Sequence, residues 1–171
     1  SLCSSADAAV AAEATLSLAR LTGEASLLKA LTARAVDDPR AIAAIGTLPA
    51  ATAEAELRSL AGPRDPYIRG AAIKSLAKRS PAVAVPLVRD ALESDHAALR
   101  VFALEAAITA TDVSYIPVLR LLAQSEDRLE RRLACAALVR AGEPGAAGEL
   151  LATVDEARRA GDAWVEVLTA E

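Results

Sequence analysis

An all-α fold, a solenoid of about five helix pairs, is what this sequence predicts, and three observations predict it. Across 171 residues, hydrophobic side chains make up 53% and aromatics only 2%, and alanine is about a quarter of the chain. Strands favour β-branched and aromatic residues. Alanine and leucine lose little side-chain freedom in a helix and favour it. A block of residues recurs at a spacing of 31. Breaks from proline, glycine and aspartate divide the chain into segments of helix length, joined by connections too short for anything but antiparallel hairpins.

The repeat is the strongest of the three, since self-similarity at a fixed period marks stacked architectures. DPYIRGAAIKSLAKRS from Asp65, HAALRVFALEAAITAT from His96 and DRLERRLACAALVRAG from Asp127 align without gaps. Arg69, Arg100 and Arg131 fall in register, then Ala72, Ala103 and Ala134, then Leu76, Ala107 and Leu138. Steps of three and four residues keep these positions on one helix face. The second half of the unit repeats as well. Val85, Ile116 and Ala147 match, as do Val88, Leu119 and Leu150, and Pro86 and Pro117 are read as lying near helix starts. Weaker copies precede these, with Ala44 and Leu48 followed by Leu57 and Leu60, and Ala14 and Leu18 followed by Leu28 and Leu31. Irregular terminal units are expected, because an end repeat must cap an exposed apolar face.

Taken in order, the breaks predict helices near 6–21, 25–35, 38–48, 53–61, 65–79, 82–93, 96–110, 113–124, 127–141 and 144–159, and a last short one near 162–170 carrying Trp164. Asp65, Asp95 and Asp127 stand near helix starts, where a carboxylate accepts from free N–H groups and meets the positive end of the dipole. Gly23 and Gly142 stand at helix ends. The whole of 1–171 reads as a single repeat domain, clearest over 65–154, with irregular ends at 1–36 and 155–171.

Nineteen basic and 23 acidic residues give a formal charge of -4, which argues against a general nucleic-acid role. Only Lys29, Lys74 and Lys78 are lysine; the other basic residues are arginine. Cys3 and Cys135 make no disulfide framework, and Cys135, in the register of Ile73 and Leu104, reads as a packed core residue. That usage fits a reducing, cytoplasmic location. No apolar run reaches the ~18 residues of a membrane span. Without a single methionine, the chain is read as a fragment or processed piece.

An aspartate, an aliphatic residue and arginine, then alanine three later and leucine four after that: Asp65, Ile68, Arg69, Ala72 and Leu76 make this series. Asp95, Leu99, Arg100, Ala103 and Ala107 repeat it, and Asp127, Arg131, Ala134 and Leu138 follow with Glu130 in the aliphatic place. The pattern resembles HEAT repeats, and the short unit resembles the bacterial HEAT-like type also found in phycobilisome lyases. The resemblance implies a right-handed superhelix of antiparallel helix pairs. It also implies a structural ladder between adjacent repeats, carried over to Asp65, Arg69, Asp95, Arg100, Asp127 and Arg131. It implies binding rather than an activity, since such folds act through their surfaces.

No catalytic constellation is legible. A metal site needs several converging ligands, and His96 is the lone histidine. No serine lies in a Gly-x-Ser-x-Gly context for a triad. GEPGAAG at 142–148 lacks the lysine of a phosphate loop. Tyr67, Tyr115, Phe102 and Trp164 are too few to form a stacking platform for bases, and Phe102 falls on the inward stripe with Ala71 and Leu133. No cofactor is expected.

The resemblance places the helices bearing Arg69, Arg100 and Arg131 on the concave side. Their buried stripe should be Ile68, Ala72, Leu76 and equivalents, leaving Gly70, Lys74, Ala77 and Lys78 on the open face. Val101, Glu105, Ile108 and Thr109 should follow in the second copy, and Arg132, Ala136, Val139 and Arg140 in the third. Lys74, Lys78, Glu105, Ile108, Thr109, Arg132, Val139 and Arg140 are the candidate partner-binding residues, suited to a helix or an acidic peptide. The expected function is a non-enzymatic scaffold for a protein partner. The alternatives are a lyase-like accessory factor and, behind it, nucleic-acid binding.

Overall fold

Aspartate and proline decide where the helices begin. In the computed structural model, which describes residues 24–35, 38–48, 51–62 and 65–159 together with Ala14 and Ser17, α1 spans Glu24–Ala35, α2 Pro39–Thr47, α3 Ala51–Leu60, α4 Pro66–Arg79, α5 Pro81–Leu92 and α6 Ala97–Thr109. A 3-10 turn at Val113–Tyr115 then leads into α7 (Ile116–Leu122), followed by α8 (Arg128–Arg140) and α9 (Ala146–Arg159). Among the described residues there is no strand, and the fold is an all-α helical repeat. Asp38, Asp65 and Asp127 each accept from backbone N–H groups of the first turn they precede. Pro39, Pro66 and Pro81 open α2, α4 and α5, where the missing N–H would have had no intrahelical partner. Gly142, at φ 75°, ends α8: its N–H reaches Val139 O at 3.0 Å and the Glu143 N–H reaches Leu138 O at 3.0 Å.

Two compact units result, residues 1–110 and 111–171. In the first, α2, α4 and α6 lie side by side, with α2 against α4 and α4 against α6, while α1 packs on α2. The returning helix α3 lies against α2 and α4, and α5 lies against α4 and α6. Helix α4 is therefore surrounded, and it buries Ile68, Gly70, Ala72, Ile73, Leu76 and Ala77. The expected stripe of Ile68, Ala72 and Leu76 is inside. Gly70 and Ala77, read as open-face residues, are buried too, because neighbours on both flanks need small side chains to come close. A Cβ on Gly46 of α2 would lie 3.2 Å from the Ser75 Cβ of α4, and one on Gly70 would meet the Phe102 ring of α6. The larger core side chains are Ile42, Ile45, Leu48, Leu57, Leu60, Ile73, Leu76, Leu92, Leu99 and Leu104. Truncating one such leucine to alanine costs about 2–5 kcal/mol.

The second unit packs α8 between α7 and α9 around Tyr115, Leu119, Ala134, Cys135, Leu138 and Ala146. Its first returning helix departs from expectation. Where one helix is expected over 113–124, a 3-10 turn capped by Asp112 precedes a seven-residue α7. The Asp112 carboxylate takes the Ser114 N–H, and the Tyr115 N–H closes back on Asp112 O. Pro117 does sit in the first turn of its helix, but Pro86 does not: α5 begins five residues earlier, and Pro86 lies inside it. An interior proline removes one i→i−4 bond. The helix expected near 162–170 lies outside the described residues. So does the one near 6–21, apart from Ala14 and Ser17, which are helical.

Candidate functional site

In the first unit, α4 and α6 form a half-open face. On α4, Tyr67, Lys74 and Lys78 follow one another at helical spacing and share this face. Tyr67 is 58% exposed, and its ring meets Phe102 edge-on with centroids 6.4 Å apart at 86°. Phe102, read as core, is half-buried, and its ring covers Gly70. Lys74 Nζ donates to Glu105 Oε2 at 2.7 Å across the α4–α6 junction. These two candidates thus offset each other, and the pair is half-exposed, where such a bridge contributes little stability. Lys78 and Thr109 are exposed and Ile108 is half-buried. The Thr109 hydroxyl turns back to Glu105 O at 3.3 Å.

The second unit carries the remaining candidates on α8. Val139 is 37% exposed and Arg140 is exposed, as expected. Arg132 is not on an open rim: it is 6% exposed, and its Nε and Nη1 have no hydrogen-bond partner. It holds the register place of Gly70 and Val101, where the repeat otherwise carries a small or aliphatic residue.

The residues expected to form a ladder act first within each hairpin. Asp65 accepts from Tyr67 N at 2.9 Å and Ile68 N at 3.3 Å, and Asp127 from Leu129 N at 2.8 Å and Glu130 N at 2.9 Å. Asp95 stands one residue too early for this: the cap position of α6 is His96, which makes no side-chain cap bond. Arg100 Nη1 donates to Ser94 O at 2.9 Å, and Arg131 Nη1 to Ser125 O at 2.8 Å, each tying down the loop before its own helix. Arg69 pairs with Asp90, and Arg131 pairs with Glu156 at 2.9 Å, so both reach the returning helix of the same pair. Glu130, the departure from the aliphatic pattern, is 2% exposed and accepts from Ser125 Oγ at 2.9 Å.

Two features escape sequence reading. Arg79 Nη1 donates to Gly46 O at 3.3 Å and also to Leu48 O, so a guanidinium on α4 closes the C-terminus of α2. Ala110 and Ala141 hold that place in later copies, so no repeat signal marks it. The second feature is a cavity of about 440 Å³ in the second unit, lined by Arg120, Gln124, Arg131, Cys135, Leu138, Glu143, Ala146, Glu149 and Thr153 among others. It opens where Cys135 stands in place of Ile73 and Leu104, and Ala146 in place of the buried Tyr115. Burial raises the Cys135 thiol pKa, and Glu149 adds to this against the opposing pull of Arg131. The thiol is therefore a neutral packed group at pH 7 rather than a nucleophile. The two arginines are committed to carboxylates: Arg120 Nε donates to Glu143 Oε1 at 3.0 Å, and Arg131 is held by Glu156. Among the described residues, no group of three or more His, Cys, Asp or Glu could hold a metal, and no helix is long and apolar enough to cross a membrane.

Helix pairs with aspartate caps, arginine staples and small residues where successive helices meet define a helical-repeat protein of the solenoid class. The repeats are of a known kind: the profile of the HEAT-repeat family matches residues 38–109, and that stretch is made of HEAT repeats. The match takes in the irregular copy before Asp65 and stops at the edge of the first unit. No curated protein and no solved structure matches the chain.

Proposed function

We propose that the chain is a non-enzymatic scaffold that holds a protein partner, with the α4–α6 face of the first unit as the contact surface. The observation that carries this is the contrast around α4. Every other side of that helix is packed, yet on this side a large aromatic, Tyr67, is left 58% exposed near the start of the helix, and about three turns along the same face Lys78 is exposed and Ile108 of α6 half-buried. Aromatic anchors ringed by polar groups are the usual centre of a protein interface. Its location within the HEAT repeats supports the reading, since such repeats commonly serve protein interaction.

The test is capture of partners from native lysate by the chain and by Ile108→Glu and Tyr67→Ala variants, each shown by circular dichroism to be folded. A protein retained by the parent and lost by both variants supports the face. Equal capture by all three refutes it.

A further inference from the structure

From the α8 face we infer a more specific ligand: an acidic, apolar-striped segment of a protein partner, one of whose carboxylates is taken by Arg132. This inference rests on the scaffold reading and names the chemistry of the partner.

Arg132 is 6% exposed and Ala136 half-buried, yet the other residues of the same helix face are open. Leu129 is 43% exposed, Val139 37%, and the Arg128 side chain 54%. Positions 128, 129, 132, 136 and 139 follow one another by three and four residues and share a face. The guanidinium is thus sunk in the middle of an exposed surface. Two of its nitrogens, Nε and Nη1, are buried without a partner. Most buried titratable groups escape such a position by losing charge, but a guanidinium does not deprotonate in a protein. An unpaired charge out of water is costly. A group that restores its hydrogen bonds is therefore favoured strongly.

What fits is set by the rest of the helix. α8 carries Arg128, Arg131, Arg132 and Arg140 against one acid, Glu130, and that acid is buried and bonded to Ser125. Arg128, at 3.9 Å, and Arg131 already share Glu156. Among the described residues, the face around Arg132 therefore presents that guanidinium, Arg128 paired with Glu156 of α9, and the apolar Leu129, Ala136 and Val139, and α8 itself adds no exposed acid to it. A carboxylate between apolar side chains complements both. It would accept from the guanidinium, and the flanking residues would cover Leu129 and Val139. Arginine suits this role because its planar donors match a carboxylate.

The probe is a fluorescein-labelled synthetic 18-residue helical peptide of Glu, Leu and Ala, titrated by anisotropy with the full chain. Its counterpart carries Lys for every Glu. Saturable binding of the acidic peptide only, weakened tenfold or more by Arg132→Leu, is the expected result, since losing one partner of a buried charge pair usually slows nothing on the way in and speeds release. Arg132→Leu should unfold at the same or a higher urea concentration, because it removes an unpaired buried charge. Equal peptide affinity in Arg132→Leu overturns the inference, as does displacement of the peptide by duplex DNA at matching concentration. It also fails if Asp162→Asn with Glu166→Gln lowers the urea midpoint of the parent but not of Arg132→Leu, for then the carboxylate is the chain's own. Loss of a native partner through Ile108→Glu together with no acidic-peptide binding would sink this inference alone and leave the scaffold standing.

Discussion

Replacing Gly70 by alanine should destabilise the protein, although helix propensity alone predicts the opposite. In a helix interior, alanine is favoured over glycine by about 1 kcal/mol. At this position a Cβ would lie 2.4, 2.6 and 2.7 Å from Cδ2, Cγ and Cβ of Phe102. Those atoms are the root of the phenylalanine, not its far end, so a small swing of the ring does not clear them. Either α6 moves back or Phe102 leaves its rotamer. Overfilling a packed site costs about 1–3 kcal/mol. Disturbing the edge-on contact with Tyr67 costs about 0.5–1.5 kcal/mol more. Set against the propensity gain, the net loss is roughly 0.5–3.5 kcal/mol. Urea unfolding of the parent, Gly70→Ala, Phe102→Gly and the double variant measures it. Phe102→Gly removes Cβ, Cγ and Cδ2 together and with them the clash, so Gly70→Ala in that background should stabilise by about 1 kcal/mol. The change of sign between backgrounds is the signature of the contact. Stabilisation of similar size in both would refute the reasoning.

The aspartates should separate under the same assay. Asp65→Ala and Asp127→Ala each remove a cap that accepts two N–H groups, and each should cost about 1 kcal/mol. Asp95→Ala removes no cap and should stay within about 0.5 kcal/mol of the parent. Asp38 should make stability pH-dependent in the acid range. Burial pushes its carboxyl pKa up, but the Arg40 N–H, the Arg40 guanidinium and Arg34 outweigh that and leave it below its ordinary 3.8. A depressed folded value stabilises above the unfolded value and is lost as pH falls through the folded one. The gap between parent and Asp38→Asn in urea midpoint should therefore be full at pH 6 and close below about pH 4. Cys135, examined in a Cys3→Ser background, should react with a thiol reagent at pH 8 far more slowly than the unfolded chain, and the rate should climb with urea. A rate equal to that of the unfolded chain would contradict its burial.

How much was legible beforehand follows from how local each feature is. Helix starts at 38, 65 and 127 could be read because an N-cap needs only an aspartate and the next three residues. The buried stripe of Ile68, Ala72 and Leu76 could be read because it depends on helical period alone, and the repeat carries it again at Leu99, Ala103 and Ala107, with Glu130 in the aliphatic place of the third copy. The error at Asp95 was one of register by a single residue, since an aspartate beside the true position looks like a cap in a sequence. The 3-10 turn before α7 escaped because an Asx-capped turn and a helix start use the same residues.

The candidate surface was less legible, for a different reason. Periodicity tells which side of a helix faces its nearest neighbour, but not how many neighbours it has. Gly70 and Ala77 looked open and are buried, because α4 is flanked on two sides. Lys74 looked available and is paired with Glu105, 31 residues away. Arg132 looked like a rim charge and is sunk without a partner. Composition, period and caps are properties of one segment, so the amino-acid order alone determined an all-α repeat and the places where most of its helices begin. Burial on a second flank, the closing of α2 by Arg79 and the solitude of Arg132 depend on which segments meet, and only the packing of helix against helix decided them.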